Sequence, residues 1–301
     1  MSLAVQFSEY GSSEVLRVVD VPAPVPGPGQ VRLAVRAAGV NPIDWKIMQG
    51  FMSQNLPAGL GSDVAGVVDQ VGEGVTEFSV GDEVLGTPLT PAYAQAAVAD
   101  AAALVSKPTT VSWQVAGVLT GSGGTAWTVL DRLKIGKGET LLIHAAAGGV
   151  GTFAVQLAVA RGARVIGTAR EDNHEQLRSL GAIPVTYGEG LADRVRAIAP
   201  EGVDAVLDAS GRGEIPVSIE LAGGPQRVLT LAAFDAGDLG VQVHRGGPSG
   251  NAVRALRDIL ALIEEGRLQV PISRTFPLAE AAAALDLSRT GHLAGKIVLL
   301  P

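Results

Sequence analysis

The chain has 301 residues, 47% of them hydrophobic and 18% charged, which is enough apolar material for a large core and unlike a disordered segment. Its formal charge of −7 disfavours a nucleic-acid partner, and the absence of cysteine excludes disulfides, thiol nucleophiles and thiolate zinc sites. There is no basic leader ahead of an apolar segment and no uninterrupted run of about 18 apolar residues, so a soluble, cytoplasmic protein without membrane contact is expected.

Residues 1–112 read as short strands divided by turns. Val31–Arg36 alternates apolar and polar side chains as a half-buried strand does, and Val64–Val68 and Val80–Leu85 are further strands. Pro22–Gly29 and Gly72–Gly74 punctuate them, and helical periodicity is scarce, which suggests an antiparallel, barrel-like domain. Within it, Asn41-Pro-Ile-Asp44-Trp-Lys46 and then Gly61-Ser-Asp63 gather polar groups beside apolar strands. Donors there suit a carbonyl oxygen. Turn formation explains the same residues, with Asn-Pro opening a turn and Asp44 capping a short helix.

From Trp113 the pattern changes. Val115–Leu133 contains a helical stretch interrupted by Gly121-Ser-Gly-Gly124. Strands are then expected at 140–145, 164–169, 183–187, 204–208 and 226–231, alternating with helices at 150–161, 173–180, 190–199, 214–222 and 251–265. Such alternation gives a Rossmann-type doubly wound parallel sheet. Its key stretch is Thr140–Arg170: an apolar strand, the turn Ala145-Ala-Ala147-Gly148-Gly149-Val150-Gly151, a helix and a second strand. Gly148 lets the backbone approach a pyrophosphate, Gly151 lets helix and strand pack closely, and the helix head at Gly149–Val150 offers free N–H groups and a positive dipole end. The first glycine of the fingerprint is missing, because position 146 is Ala, so the turn must use backbone angles that alanine can adopt.

The tip of the second strand, Thr168-Ala169-Arg170, is neutral and then basic. A guanidinium there suits the 2′-phosphate of NADPH, whereas Glu171 or Asp172 could instead hold the ribose of NADH. Residues 278–287 form an alanine-rich helix and 295–300 a last strand. This tail is expected to complete the barrel domain, giving 1–112 with 270–301 around a Rossmann domain at 113–269. The histidines lack ligand spacing: His144 reads as a core residue, His174 as a helix N-terminal residue and His292 as a loop residue, so no metal site is expected. Gly240–His244 reads as an edge strand through which a homodimer could form.

Taken in order, Ala38–Lys46, Pro57–Val68, Gly81-Asp-Glu-Val84, Ala145–Gly151 and Gly291–Leu299 resemble the medium-chain dehydrogenase/reductase superfamily, in its zinc-free quinone oxidoreductase (zeta-crystallin-like) branch. Zinc-dependent relatives carry Cys at Asn41 and Gly-His-Glu at Gly61-Ser62-Asp63. The resemblance implies a chaperonin-10-like β-barrel beside the Rossmann domain, and hydride transfer from NADPH to a quinone or an activated α,β-unsaturated carbonyl. It implies that Asn41 reaches the nicotinamide ribose or the substrate carbonyl, and that Thr125, Asn173, Tyr187, Ser210, Leu231, Ala232, Ala233, Phe234 and Lys296 lie near the cofactor. For an enone acceptor, Asn41, Lys46 and Tyr93 are the candidate donors to developing enolate charge. The alternatives are an enoyl-thioester or 2-alkenal reductase, and a non-catalytic NADPH-binding redox sensor. Two segments depart from the pattern. Pro91-Ala-Tyr-Ala-Gln95 has Pro-Ala and Gln where relatives usually have Gly-Gly and Glu, and the glycine-rich Gly121–Gly124 is expected to loosen its helix.

Overall fold

The computed structural model describes residues 1–246, 250–291 and 295–301, so His292 lies outside the described residues. In chain order the first elements are β1 (Ser2–Phe7), β2 (Arg17–Val21), β3 (Gln30–Val40), α1 (Pro42–Met48), β4 (Ala58–Gly59), β5 (Val64–Val71), β6 (Glu83–Gly86), β7 (Ala96–Asp100), β8 (Leu104–Ser106) and α2 (Trp113–Ala116). There follow α3 (Gly124–Arg132), β9 (Thr140–His144), α4 (Gly149–Ala160), β10 (Arg164–Ala169), α5 (His174–Ser179), β11 (Ala182–Thr186), α6 (Leu191–Arg196), β12 (Ala205–Asp208), α7 (Ile215–Leu221), β13 (Val228–Thr230) and β14 (Gln242–Val243). The chain closes with α8 (Ala252–Glu264), β15 (Ile272–Pro277), α9 (Ala281–Thr290) and β16 (Lys296–Leu300). Among the described residues no helix is long and apolar enough to cross a membrane.

The chain divides into two compact units, Met1–Gly124 with Asn251–Pro301, and Thr125–Gly250. These boundaries fall at 124/125 and 250/251, where the sequence reading drew them at 112/113 and 269/270. Helix α8 is grouped with the first unit because it packs on β8, and Thr110 bonds Glu264 at 3.2 Å.

The first unit holds a seven-stranded sheet in the order β15-β16-β3-β5-β6-β8, with β7 also paired to β3, and a three-stranded sheet β2-β1-β4. Its pairings are antiparallel except for β15 with β16. The alternation read at Val31–Arg36 is the pleat of β3: Val31, Leu33 and Val35 point into one core with Val5, Phe7, Val64, Val68, Val84, Leu104 and Leu299. Each such fully buried side chain contributes about 1.5–3 kcal/mol, and that shared core holds the two sheets together.

The second unit is a six-stranded parallel sheet in the order β11-β10-β9-β12-β13-β14. This is the doubly wound order whose reversal lies between the first and fourth strands, here β9 and β12. Leu142, Ile166, Val206 and Val228 pack one face with Leu191, Val195, Ile215 and Leu221 from α6 and α7. Helix α4 is enclosed on every side: Gly151 through Ala158 are all buried.

Candidate active site

The glycine turn begins with strain. Ala145 sits in the left-handed region at φ 56°, a conformation that disfavours a side chain by roughly 1–2 kcal/mol. The left-handed position is therefore Ala145 rather than the Ala146 that replaces the fingerprint's first glycine. Thr168 holds the turn in place. Its hydroxyl accepts the Ala145 N–H at 3.2 Å and its carbonyl accepts the Ala146 N–H at 3.0 Å. Gly151 allows the turn to close, since a Cβ there would stand 2.3 Å from the Ala145 carbonyl oxygen.

Helix α4 then starts at Gly149 with Gly148 as N-cap and no capping side chain. The first intrahelical donor to the cap is Thr152 N–H, to the Gly148 carbonyl at 2.9 Å. The N–H groups of Gly149, Val150 and Gly151 are the unpaired donors of a helix head. Gly148 and Gly149 are exposed and Ala147 and Val150 partly so, which leaves this head open to an anion.

Around it lie the ends of the neighbouring strands. Thr168 and Ala169 are buried, whereas Arg170 is exposed and its guanidinium makes no ion pair among the described residues. Asn173 is half-buried and its N–H donates to the Arg170 carbonyl at 2.9 Å. Tyr187 follows β11, and the Arg212 guanidinium lies 5.5 Å from its ring centroid. These two line a depression of about 530 Å³ with Gly188, Gly213 and Glu214. Arg212 escaped the sequence reading because glycines flank it and its partner ring is distant in the chain.

Asp208 organises the loops after β12 and β13. Its Oδ1 accepts from Ser210 N–H (2.9 Å), Ser210 Oγ (2.8 Å) and Gly211 N–H (3.1 Å), and its Oδ2 from Thr230 Oγ1 (2.7 Å). Burial opposes ionisation, but those donors outweigh it and hold the carboxyl below its ordinary range. Thr230 Oγ1 in turn accepts the N–H groups of Ala232 (3.1 Å) and Ala233 (2.9 Å). Ser210, Leu231, Ala232 and Ala233 are thereby fixed half-buried, and Phe234 is exposed. Thr125, partly buried, lies in the first turn of α3. His144 is only half-satisfied: Nε2 pairs with Ser218 Oγ at 2.9 Å, while the buried Nδ1 has no partner.

The first unit contains a second set of polar groups, all buried. Asn41 precedes α1, and Asp44 Oδ2 accepts its backbone N–H at 2.8 Å, which is half of a capping box. The same Asp44 oxygen accepts Tyr93 OH at 2.8 Å. Gly61 makes this contact possible: at φ 97° its backbone lies against the Tyr93 ring, and a Cβ would fall 2.5 Å from Cδ1. The Asn41 side chain turns away from the helix. Its Nδ2 donates to Asp63 Oδ2 at 3.0 Å and its Oδ1 accepts Lys296 Nζ at 2.7 Å. Lys296 Nζ also donates to Ser122 Oγ at 2.6 Å.

Ser122 lies in a single π-helical turn, Leu119–Gly123, which continues directly into α3. The run Gly121–Gly124 thus winds the helix more widely where loosening was expected. Gly121 brings backbone against the buried carboxylate, since a Cβ would lie 2.8 Å from Asp63 Oδ1. That Oδ1 makes no hydrogen bond of normal geometry.

Burial pushes the Asp44 carboxyl up to about 6, against the hydrogen bonds from Asn41 and Tyr93. Burial also raises Asp63, opposed by the Lys296 charge, and lowers Lys296, opposed by Asp63 and Asp44. Tyr93 is raised well above its ordinary value by burial and by Asp44. Lys46 is apart from this set, with its ammonium 5.6 Å from the Trp45 ring centroid.

Residues 27–137 match the alcohol dehydrogenase GroES-like domain family, and residues 180–299 match a family described as zinc-binding dehydrogenase. The chain is 35% identical to a quinone oxidoreductase of Pseudomonas aeruginosa, covering 100% of both chains. It is also 35% identical, over 90% of its length, to a segment making up 5% of the polyketide synthase GfsB of Streptomyces halstedii. The quinone oxidoreductase of Coxiella burnetii superposes with a TM-score of 0.91 at 34% identity, covering 100% of both chains. The chain therefore belongs to the medium-chain dehydrogenase/reductase superfamily, in its quinone oxidoreductase branch. The Escherichia coli quinone oxidoreductase, solved in complex with NADPH, superposes with a TM-score of 0.88 at 27% identity, covering 99% of this chain and 100% of that one.

Proposed function

We propose that the protein is an NADPH-dependent oxidoreductase that works without a metal and reduces a quinone or an activated α,β-unsaturated carbonyl. The observation that carries this reading is the uncapped head of α4 above the close-packed turn Ala145–Gly151, with the unpaired Arg170 at the tip of the adjacent strand. The Escherichia coli relative solved with NADPH supports the cofactor, and the relatives named as quinone oxidoreductases support the acceptor.

Gly149, Val150 and Gly151 offer backbone N–H groups to the diphosphate, Gly148 lets the chain pass close to it with its own N–H committed to the Ala145 carbonyl at 2.9 Å, and Arg170 pairs with the 2′-phosphate. Asn173 and Tyr187 lie along the adenosine, with Arg212 stacked on Tyr187. Ser210, Leu231, Ala232, Ala233 and Phe234, held by Asp208 and Thr230, cover the cofactor, and Thr125 lies by the nicotinamide. Thr168 acts from beneath, by holding the turn, and Ala169 is the buried end of the strand that carries Arg170. When bound, NADPH supplies the hydride that reduces the acceptor.

Asn41 donates to the acceptor's oxygen as negative charge develops on it. Tyr93, sealed in the core and committed to Asp44, serves as a support, and Lys46 lies outside the cluster. Zinc does not fit the barrel cluster. Zinc takes thiolate, imidazole and carboxylate ligands, whereas the side chains around Asn41 are its amide, the Asp63 carboxylate and the Ser122 hydroxyl, with the Lys296 ammonium already between two of them and the second carboxylate, Asp44, committed to the Asn41 N–H and the Tyr93 hydroxyl. Strand β14 is an edge of the six-stranded sheet, and we assign it as the seam of a homodimer, which light scattering at working concentration tests.

The test is NADPH consumption with a panel of quinones and a panel of enones. Background rates with both would sink the oxidoreductase reading, and tight NADPH binding without turnover would favour a redox-sensing role. An enoyl-CoA in the same panel tests the alternative reading as an enoyl-thioester reductase.

A further inference from the structure

The amide of Asn41 is held at both ends by buried charges of opposite sign. Its oxygen meets the Lys296 ammonium at 2.7 Å and its nitrogen meets the Asp63 carboxylate at 3.0 Å. The reverse orientation would set NH₂ against an ammonium and the amide oxygen against a carboxylate, so electrostatics alone fix the flip. Lys296 and Asn41 are 255 positions apart, and both are 6% exposed. The ammonium is itself fixed by a second acceptor, Ser122 Oγ at 2.6 Å, in the π-helical turn. Gly121 and Gly39 both bring backbone against Asp63, where a Cβ would fall within 2.8 Å and 2.9 Å of its carboxylate oxygens. Long, buried lysines in apolar cores are rare unless paired, and every partner of this one converges on a single amide.

An amide nitrogen has two N–H groups. Asp63 takes one, which leaves the other uncommitted. We propose that Lys296 is a positioning residue: with Asp63 it clamps the Asn41 amide in one orientation and polarises it, so that the uncommitted N–H stands ready for the acceptor's oxygen. This rests on the reading that Asn41 meets the acceptor, and it gives Lys296 a role other than contact with the cofactor. Pulling electron density toward the ammonium-bound oxygen strengthens the amide as a donor, and fixing the flip spares the reaction that reorganisation.

The experiment compares the intact protein with Lys296→Met. Because that change leaves Asp63 buried without its cation, the double variant Lys296→Met/Asp63→Asn is made alongside it, with melting temperature as the check on folding. In a folded variant, acceptor kcat/KM at saturating NADPH should fall about 10–100-fold, the scale on which misplacing a reacting group acts. The Kd for NADPH, read from nicotinamide fluorescence, should stay within about twofold, because the clamp does not touch the cofactor. A weakened NADPH Kd with unchanged acceptor kcat/KM overturns the proposal and assigns Lys296 to the cofactor, and a variant unchanged in both also overturns it.

A readout independent of turnover is the Asn41 side-chain amide in ¹⁵N spectra. The intact protein should show one slowly exchanging, well-dispersed NH₂ pair, which loses that protection in Lys296→Met. A freely exchanging Asn41 amide in the intact protein refutes the clamp. If the intact protein shows the protected amide but no turnover with any acceptor, the clamp stands and the oxidoreductase reading falls.

Discussion

Replacing Tyr93 by Phe separates two roles for a residue that chemistry alone would nominate as a proton donor. The hydroxyl donates to Asp44 Oδ2 at 2.8 Å, and the side chain is wholly buried. Removing it strips a donor from a buried carboxylate, a loss of about 1–3 kcal/mol. The loss depends on pH. Asp44 is raised by burial from 3.8 to about 6 in the folded protein, so its ionisation destabilises the fold. Its contribution is fully present below the unfolded value and is lost as pH rises toward and past about 6, a swing of about 3 kcal/mol.

The Tyr93 hydrogen bond favours the ionised form, so Phe raises the carboxyl further and deepens the loss above that range. Below it, Phe costs only a hydrogen bond between neutral groups. At somewhat under about 2 °C per kcal/mol for a chain longer than about 250 residues, melting followed by circular dichroism should fall about 5 °C at pH 8 and less than about 2 °C at pH 5. Turnover of the best quinone or enone should stay within about threefold, whereas loss of a true general acid costs about 10²–10⁴. Equal melting losses at the two pH values would refute the coupling to Asp44. A hundredfold fall in kcat with unchanged melting would show that Tyr93 itself delivers the proton.

Three further substitutions test the two sites separately. Arg170→Ala should lower the preference for NADPH over NADH about 10–100-fold, the range of a charge-assisted hydrogen bond to phosphate, and an unchanged preference would remove Arg170 from the 2′-phosphate. Gly151→Ala places a methyl 2.3 Å from the Ala145 carbonyl oxygen and 2.7 Å from the Ala146 Cα, so the turn must open; NADPH Kd by fluorescence titration should rise at least about 10-fold, and normal affinity would mean that the turn does not hold the diphosphate. Gly121→Ala places a methyl 2.8 Å from Asp63 Oδ1 and 3.1 Å from Asn41 Nδ2. Acceptor kcat/KM should then fall about 10–100-fold with NADPH Kd unchanged, and the opposite split would detach this cluster from the acceptor.

The doubly wound sheet was legible because each parallel strand is a short apolar run bounded by turn residues, and period and length together identify such runs. Strands expected at 140–145 and 164–169 are observed as Thr140–His144 and Arg164–Ala169. The barrel unit was legible only in outline. Strand β7 pairs with β3 across a long sequence gap, joining Gln30–Ala34 to Ala96–Asp100, and nothing local marks Ala96-Ala-Val-Ala-Asp100 as a sheet partner. A short helix capped by Asp44 was legible beside the Asn-Pro turn signal, but α1 starts earlier, with Asn41 as its N-cap, Pro42 in its first turn and Asp44 at its third position. Periodicity misjudged Gly121–Gly124 for a different reason. Glycine reads as a helix breaker when its neighbours are unknown, but here the missing Cβ admits the Asp63 carboxylate.

The buried cluster could not be assembled from sequence, since its hydrogen bonds join residues 22, 49, 174 and 255 positions apart. Its composition nevertheless carries an argument that local structure does not. Two carboxylates and one ammonium share one buried site, so full ionisation would leave excess negative charge in a medium that solvates it poorly. Asp44, raised to about 6, is where the cluster can hold the balancing proton, while Asp63 has Lys296 as its cation. An apolar core of the same volume would be at least as stable. Stability alone therefore does not account for the set, whereas fixing one amide between opposite charges does, and the fixed amide belongs to Asn41.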